Sequence, residues 1–204
     1  MDRKEHWNHV YQTKETDDLS WSQPHPALSL DLIEAAQISK DTGIIDVGGG
    51  TSLLIDRLID AGYNPLGVLD VSGAALNKSR ARLGPHAEKI EWFEADVTTF
   101  SPPHTFGLWH DRAVFHFLTD PADRSAYVAT LRKTLRPGGA VIIATFALDG
   151  PPKCSGLDVV RYDEESIVTE LGSEFQLQKV RRETHQTPWE SEQRFIYFRF
   201  RREP

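Results

Sequence analysis

The chain has a single cysteine, Cys154, and a single methionine in 204 residues. One thiol excludes an intrachain disulfide framework and points to a reducing compartment, the cytoplasm. Long apolar runs are missing as well. None approaches the roughly 18 residues of a membrane span, and the opening MDRKEHWNHVYQ lacks the apolar stretch of a secretory signal. There is no cationic excess either. With 23 Lys and Arg against 30 Asp and Glu, the net charge is −7. Nucleic acid is therefore an unexpected partner, because its binders carry a basic footprint. The composition, 39% apolar and 26% charged, is that of an ordinary globular protein. The length suits one domain of about 100–200 residues.

Residues 1–26 carry spaced aromatics, Trp7, Tyr11 and Trp21, and close on Pro24 and Pro26. They predict a short helix and a loop, an N-terminal arm or lid. From about residue 40 to 147, apolar runs alternate with segments of helical spacing. GIIDVGG, NPLGVLDVS, KIEWFEADV, FGLWHDRAVFHFL and AVIIATF predict strands, and the stretches between them predict helices. Pro137-Gly138-Gly139 is expected to stop the helix before the fifth strand. Residues 148–204 add a loop, a helix near YDEESIVTELG and two closing strands of period-2 alternation, which predict a hairpin at one sheet edge. Alternation of this kind implies βαβ units. The expectation is an α/β fold, a three-layer α/β/α sandwich around a doubly wound, mostly parallel sheet. Such sheets bind ligands beyond the carboxyl ends of their strands.

At the first of those ends lies IIDVGGGTS, residues 44–52. Glycine lets the backbone turn tightly and approach a ligand. A dinucleotide fingerprint needs G-x-G-x-x-G. Gly48 and Gly50 fit it, but Leu53 stands where the third glycine belongs. Asp46 is a second objection, since a carboxylate at this turn repels a pyrophosphate. S-adenosylmethionine (SAM) carries an ammonium and a sulfonium instead, and a carboxylate favours both. Asp70, twenty residues beyond Gly50, ends the second strand where an acid can accept from two ribose hydroxyls. Asp96 ends the third strand and could accept from an adenine amino group. Three acids are expected in register at three successive strand ends.

On these residues the chain resembles the class I SAM-dependent methyltransferases, best over residues 40–147. IIDVGGGTS looks like that family's glycine motif, GVLDVS its second motif, FEADV its third, FGLWHDRAVFHFL its fourth-strand segment and LRKTLRPGGAVIIATF its fifth. The resemblance implies a seven-stranded sheet with one antiparallel strand near the C-terminus. It places the methionine moiety at Asp46, Gly48 and Gly50, the ribose at Asp70 with Val71, and the adenine at Asp96 and Val97. Gly49 replaces a larger residue found in many members and is expected to affect packing alone. A variant of the family opens with W…Y…W-x-Q-P, which HWNHVYQTKETDDLSWSQPHP fits. The cofactor would be SAM, the product S-adenosylhomocysteine, with no metal.

Methyl transfer is a direct displacement, so orientation supplies much of the rate. A base is needed only where the nucleophile arrives protonated. The resemblance puts Trp109, His110, Asp111 and Arg112 nearest the transferable methyl. Asp111 or His110 could be the base. Arg112 could hold an anionic group or pair with Asp111, and His116 is a further candidate. SPPHTF, 101–106, is similar to a motif of amino-directed nucleic-acid methyltransferases, but it precedes the fourth strand instead of following it and lacks the aromatic, so it reads as a loop. Trp21, Phe115, Phe146, Lys153, Arg161, Tyr162, His185 and Trp189 are the expected acceptor-side residues, with Gln193 beside them. A single cysteine disfavours arsenite methylation, which needs several thiols. The expected acceptor is a small thiol, amine or carboxylate. A protein lysine is the alternative, and a binding module without turnover is another. The chain is expected to be a monomer or homodimer.

Overall fold

A computed structural model describes residues 2–204. Helix α1, Arg3–Thr13, starts at Asp2, whose carboxylate accepts from the Lys4 and Glu5 amides. Such an N-cap satisfies donors the first turn leaves free. Helix α2, Ala27–Ala35, leads into strand β1, Ile44–Val47. Then follow α3 (Leu54–Asp60), β2 (Leu66–Asp70), α4 (Gly73–Leu83), β3 (Ile90–Glu94), β4 (Phe106–Arg112), α5 (Pro121–Thr134) and β5 (Leu135–Phe146). The loop after β5 contains a small hairpin of β6 (Lys153–Cys154) and β7 (Leu157–Asp158). Helix α6, Glu164–Leu171, and the long strands β8 (Phe175–Gln186) and β9 (Glu192–Arg202) end the chain.

Seven strands form one sheet in the order β3-β2-β1-β4-β5-β9-β8. Pairings from β3 to β5 are parallel, and β9 runs antiparallel to both β5 and β8. Thus β9 is the one reversed strand, as the resemblance implies. Strands β1 and β2 are buried at every position, because helices cover both faces of the sheet; that is why they read as unbroken apolar runs. One face carries Ile45, Trp109 and Val141 against Tyr127 and Leu131 of α5 and Ile167 of α6. The other carries Ile44, Leu108 and Ile142 against Ile33 of α2, Leu58 of α3 and Leu76 of α4. Edge strand β8 bears Lys179, Arg181 and Arg182, charges of the kind that discourage edge-to-edge pairing.

Two local expectations are corrected. Pro137-Gly138-Gly139 does not stop α5, which ends at Thr134. Strand β5 has begun by then, and the register jumps from Phe106↔Leu135 to Leu108↔Ala140, so residues 136–139 bulge from the ladder. The third acid is also displaced. Asp70 pairs in register with Glu94, and Asp96 sits two residues past the end of β3.

Strand order reverses between β1 and β4, the position at which open α/β sheets form a ligand crevice. The arm lies over it. Trp7, Tyr11 and Trp21 pack together, with ring centroids 5.6–6.4 Å apart. Asn8 Oδ1 accepts from Ser72 Oγ at 2.8 Å and from the Ala74 amide in the first turn of α4 at 3.2 Å. Removing that acceptor leaves a helix-terminal donor unmet. Asn8→Ala is expected to lower stability by about 1 kcal/mol, measured by urea denaturation, with faster proteolysis within α1.

Candidate functional site

After β1 the chain turns through Gly48 and Gly50, at φ +65° and +44°. These angles favour glycine. Each glycine also meets a different neighbour. A Cβ on Gly48 would lie 2.0 Å from Val114 Cγ2. On Gly50 it would lie 2.7 Å from the Tyr11 hydroxyl and 3.1 Å from Asp70 Oδ2. On Gly49 it would lie 2.7 Å from Asp46 Oδ2 and 2.8 Å from Val68 Cγ1. Gly49 therefore does more than affect packing in general: it leaves the space in which the Asp46 carboxylate sits.

Register pairs Asp46 of β1 with His110 of β4. Their side chains meet at 2.7 Å, Oδ1 to Nδ1, and His110 Nε2 lies 2.9 Å from Ser29 Oγ in α2. A carboxylate only accepts, so Nδ1 carries a proton; in a neutral ring, Nε2 then accepts from the Ser29 hydroxyl. All three side chains are buried. Both ring nitrogens of His110 are therefore engaged by the protein, which conflicts with a role as a free base.

Asp70 ends β2, with Oδ1 accepting from the Ser72 amide at 2.8 Å. Burial, helped by the charge of Asp46 and opposed by the Ser72 amide, pushes its carboxyl up to about 7. Asp96 behaves in the opposite way. Burial would raise it, but the Thr98 amide and hydroxyl and the Arg3 guanidinium outweigh burial and hold it below the usual carboxylate range. Arg3 Nη1 reaches Asp96 Oδ2 at 3.1 Å and its other nitrogen pairs with Asp123. The carboxylate expected to meet adenine is already bound to the arm.

Two adjoining cavities lie at these strand ends. The first encloses about 760 Å³, counting its open mouth, and Asp70, Val71, Asp96 and Val97 form one wall. The second, about 1000 Å³ counted the same way, is lined by Asp46, Gly49, Ser29 and His110. Tyr11, Trp21, Val47, Gly48 and Arg112 line both and mark the junction. Trp7 and Phe117, with centroids 5.0 Å apart, wall the first cavity beside Cys154. Burial pushes the Cys154 thiol up to about 11, so it stays protonated at neutral pH.

The fourth strand divides by side-chain alternation. His110 and Arg112 face the cavities, whereas Trp109 and Asp111 face α5. Trp109 is fully buried and donates to Tyr127 Oη at 2.8 Å, and it lines neither cavity. Asp111 accepts from Tyr127 Oη at 2.6 Å and from the Val114 and Phe115 amides. Burial pushes it up to about 6, and its oxygens shape the loop after β4. It does not pair with Arg112. His116 is buried, accepts from the Phe146 amide at 3.3 Å, and is driven down to about 3 by burial, so its ring stays neutral.

Several expected acceptor residues lie elsewhere. Phe115, Phe146 and Tyr162 are core side chains. Lys153 pairs with Asp158 on the surface, and Arg161 donates to the carbonyls of Leu148 and Gly150. Trp189 is 58% exposed, in the turn between β8 and β9. His185 donates to the Ser20 carbonyl at 2.8 Å, and Gln193 is its register partner. Of the expected acceptor residues, Trp21 alone lines either of these two cavities. Sequence reasoning missed Arg3, Tyr11 and Val114 as site residues. The four-residue spacing of Trp7 and Tyr11 was the available signal for one shared helix face; Val114 had none.

A family profile described as "Methyltransferase domain" matches residues 44–139, the segment that holds the glycine turn, Asp70 and β4. Over that segment, just under half of the chain, the sequence is similar to that methyltransferase family. A curated relative, "EEF1A lysine methyltransferase 2" of Danio rerio, is 30% identical over 122 residues, 55% of this chain and 52% of that protein. A second, "Probable thiol methyltransferase 2" of Arabidopsis thaliana, is 25% identical over 158 residues, 74% of this chain and 66% of that protein. The chain thus spans between half and two thirds of the length of those relatives. The crystal structure of N-methyltransferase NodS from Bradyrhizobium japonicum WM9 with S-adenosylhomocysteine superposes at a TM-score of 0.73, with 18% identity and complete coverage of both chains. That likeness is one of fold.

Two outcomes are expected of the folded chain itself. Gly49→Ala crowds Asp46 and Val68 and should cost about 1–3 kcal/mol, as overpacking does, measured by denaturant melts. Asp70 has a raised folded value, about 7 against 3.8 for the free side chain, so the native state holds the extra proton between those values. Its favourable contribution is complete below the lower value and lost as pH rises through about 7. The melting advantage of Asp70→Asn over wild type, without ligand, should therefore shrink from pH 8 to pH 5.

Proposed function

We propose that this chain transfers a methyl group from SAM to a small-molecule acceptor, a thiol, an amine or a carboxylate. The observation that carries the reading is Asp70: a buried carboxylate at the end of β2, beside a turn whose glycines leave no Cβ in the way. When bound, SAM supplies a methyl group on a positively charged sulfur. Asp70 would accept from the ribose hydroxyls, Val71 and Val97 would flank the adenine, and the turn with Asp46 would receive the methionyl end. Each assignment follows a wall of the two cavities. Asp46 and Leu53 argue against NAD, for the reasons of charge and motif given above.

The chain's own residues orient and exclude. Trp7, Tyr11 and Trp21 screen the junction from water, and electron-rich ring faces favour a cation nearby. Helix α1 then serves as the lid. His110 and Asp111 both have protein partners, which favours an acceptor that arrives without a proton to lose, such as a thiolate or a carboxylate. The relative named as a lysine methyltransferase keeps a protein substrate as a second reading, but Arg112 at the junction disfavours a cationic acceptor. A reducing, cytoplasmic setting suits the unpaired thiol.

Parallel calorimetric titration with SAM, S-adenosylhomocysteine and NAD tests the reading. Micromolar binding of the two sulfur ligands and none of NAD is expected. Asp70→Ala should weaken S-adenosylhomocysteine at least tenfold, since each hydrogen bond to a charged group is worth about 1.5–3 kcal/mol. A loss below threefold would remove Asp70 from the site.

A further inference from the structure

Arg112 holds its guanidinium in a fixed pose with one nitrogen left over. Its Nε donates to Tyr197 Oη of β9 at 2.9 Å, and its Nη1 to the Trp21 carbonyl of the arm at 2.8 Å. Phe195 supports the group from beneath, its ring centroid 4.3 Å from the guanidinium carbon. The side chain is nine-tenths buried. Nη2 is buried and, among the described residues, has no hydrogen-bond partner. Its nearest carboxylate oxygen is Glu183 Oε2 at 3.8 Å, beyond hydrogen-bond range. Glu183 is committed elsewhere: it accepts from Tyr197 Oη at 2.8 Å and from Gln23 Nε2 at 3.1 and 3.2 Å.

A buried cationic donor without a partner is costly and calls for an anionic acceptor. The Arg112 side chain lines both cavities at their junction, next to the wall that holds Cys154 and Phe117. We infer that Arg112 is the specificity residue for a carboxylate on the methyl acceptor, received by Nη2 while Tyr197 and Trp21 hold the guanidinium still. Glu183 opposes that anion and weakens its binding to a level that allows release. The acceptor is then an acid, with an apolar body against the arm's rings. This inference rests on the methyl-transfer reading. The methionyl tail of the cofactor also ends in a carboxylate, and its seat is distinguished by measuring the cofactor's affinity separately.

The probes are benzoate and 3-mercaptopropionate, each beside its neutral counterpart, benzyl alcohol and 3-mercapto-1-propanol. They are titrated by calorimetry into protein saturated with S-adenosylhomocysteine. At least one acid should bind ten times more tightly than its alcohol. Arg112→Gln should erase that preference while leaving S-adenosylhomocysteine affinity within threefold. Glu183→Gln should tighten the acid at least threefold, a direction that mere loss of structure would not produce. Should Arg112→Gln fail to fold, Arg112→Lys takes its place, and the acid preference should fall at least threefold. Equal binding of acids and alcohols by wild type overturns the inference. So does a preference that survives in the Arg112 variant, or an acid that weakens in Glu183→Gln. A tenfold loss of S-adenosylhomocysteine affinity in Arg112→Gln assigns the residue to the cofactor's carboxylate and overturns it too. Wild type that binds no S-adenosylhomocysteine overturns the methyl-transfer reading itself, and this inference with it.

Discussion

The site is organised around one buried bond, Asp46 to His110, 2.7 Å long between side chains that are nearly out of water. A carboxylate in such surroundings is expensive unless it is paired and hydrogen-bonded. Here the partner comes from the adjacent strand across the point where strand order reverses. The pair thus fastens β1 to β4 where the sheet opens, and Ser29 extends the fastening to α2. Gly49 follows from the same constraint. Any side chain there would take the place of the acid or push into Val68. A glycine that motif comparison leaves unexplained becomes a consequence of burying Asp46 next to it.

Sheet order and layers were legible because fully covered parallel strands write themselves as apolar runs and helices as a 3.6-residue period. The glycine turn and Asp70 were legible because ligand crevices occur at strand ends. What lay hidden was tertiary. WHDR reads as four adjacent candidates, yet a strand sends neighbours to opposite faces. Only His110 and Arg112 reach the cavities, while Trp109 and Asp111 settle against Tyr127. The period was visible, but the sequence did not say which face would be covered by α5. Asp96 was misplaced by two residues for a similar reason: an acid after an apolar run looks like a strand end whether or not the ladder reaches it. Arg3, 93 residues from Asp96 in the chain, left no local trace.

Polar groups divide between two tasks. Asp111 and His116 fix the loop after β4: Asp111 accepts from its Val114 and Phe115 amides, and His116, within the loop, accepts from the Phe146 amide at the end of β5. Ala113, at φ +70°, lies in this loop and borders the first cavity. A non-glycine residue held there costs of order 1–3 kcal/mol, and the bonds made by Asp111 help to fix it. Residues that looked catalytic by position are thus the supports of the wall that Val114 presents to Gly48.

How the arm is attached bears on how a ligand enters. Its ion pairs, Arg3 to Asp96 and Asp123 and Lys4 to Glu94, join side chains that are a third to a half exposed. Water and salt screen such pairs, each worth about 0–1 kcal/mol. The aromatic contacts of Trp7, Tyr11 and Trp21, the two bonds of Asn8, and the bonds that Ser20, Trp21 and Gln23 make to His185, Arg112 and Glu183 carry the rest. Yet these same rings wall the first cavity, and the Arg3 guanidinium occupies the acid at its end. A ligand that fills the cavity and approaches Asp96 must displace part of that attachment and replace it with its own contacts. The exposed pairs are inexpensive to break, whereas the ring surface buried beneath the arm is not. Any ligand that touches these rings would stabilise α1 by mass action, because the contact exists only while the arm is folded in place.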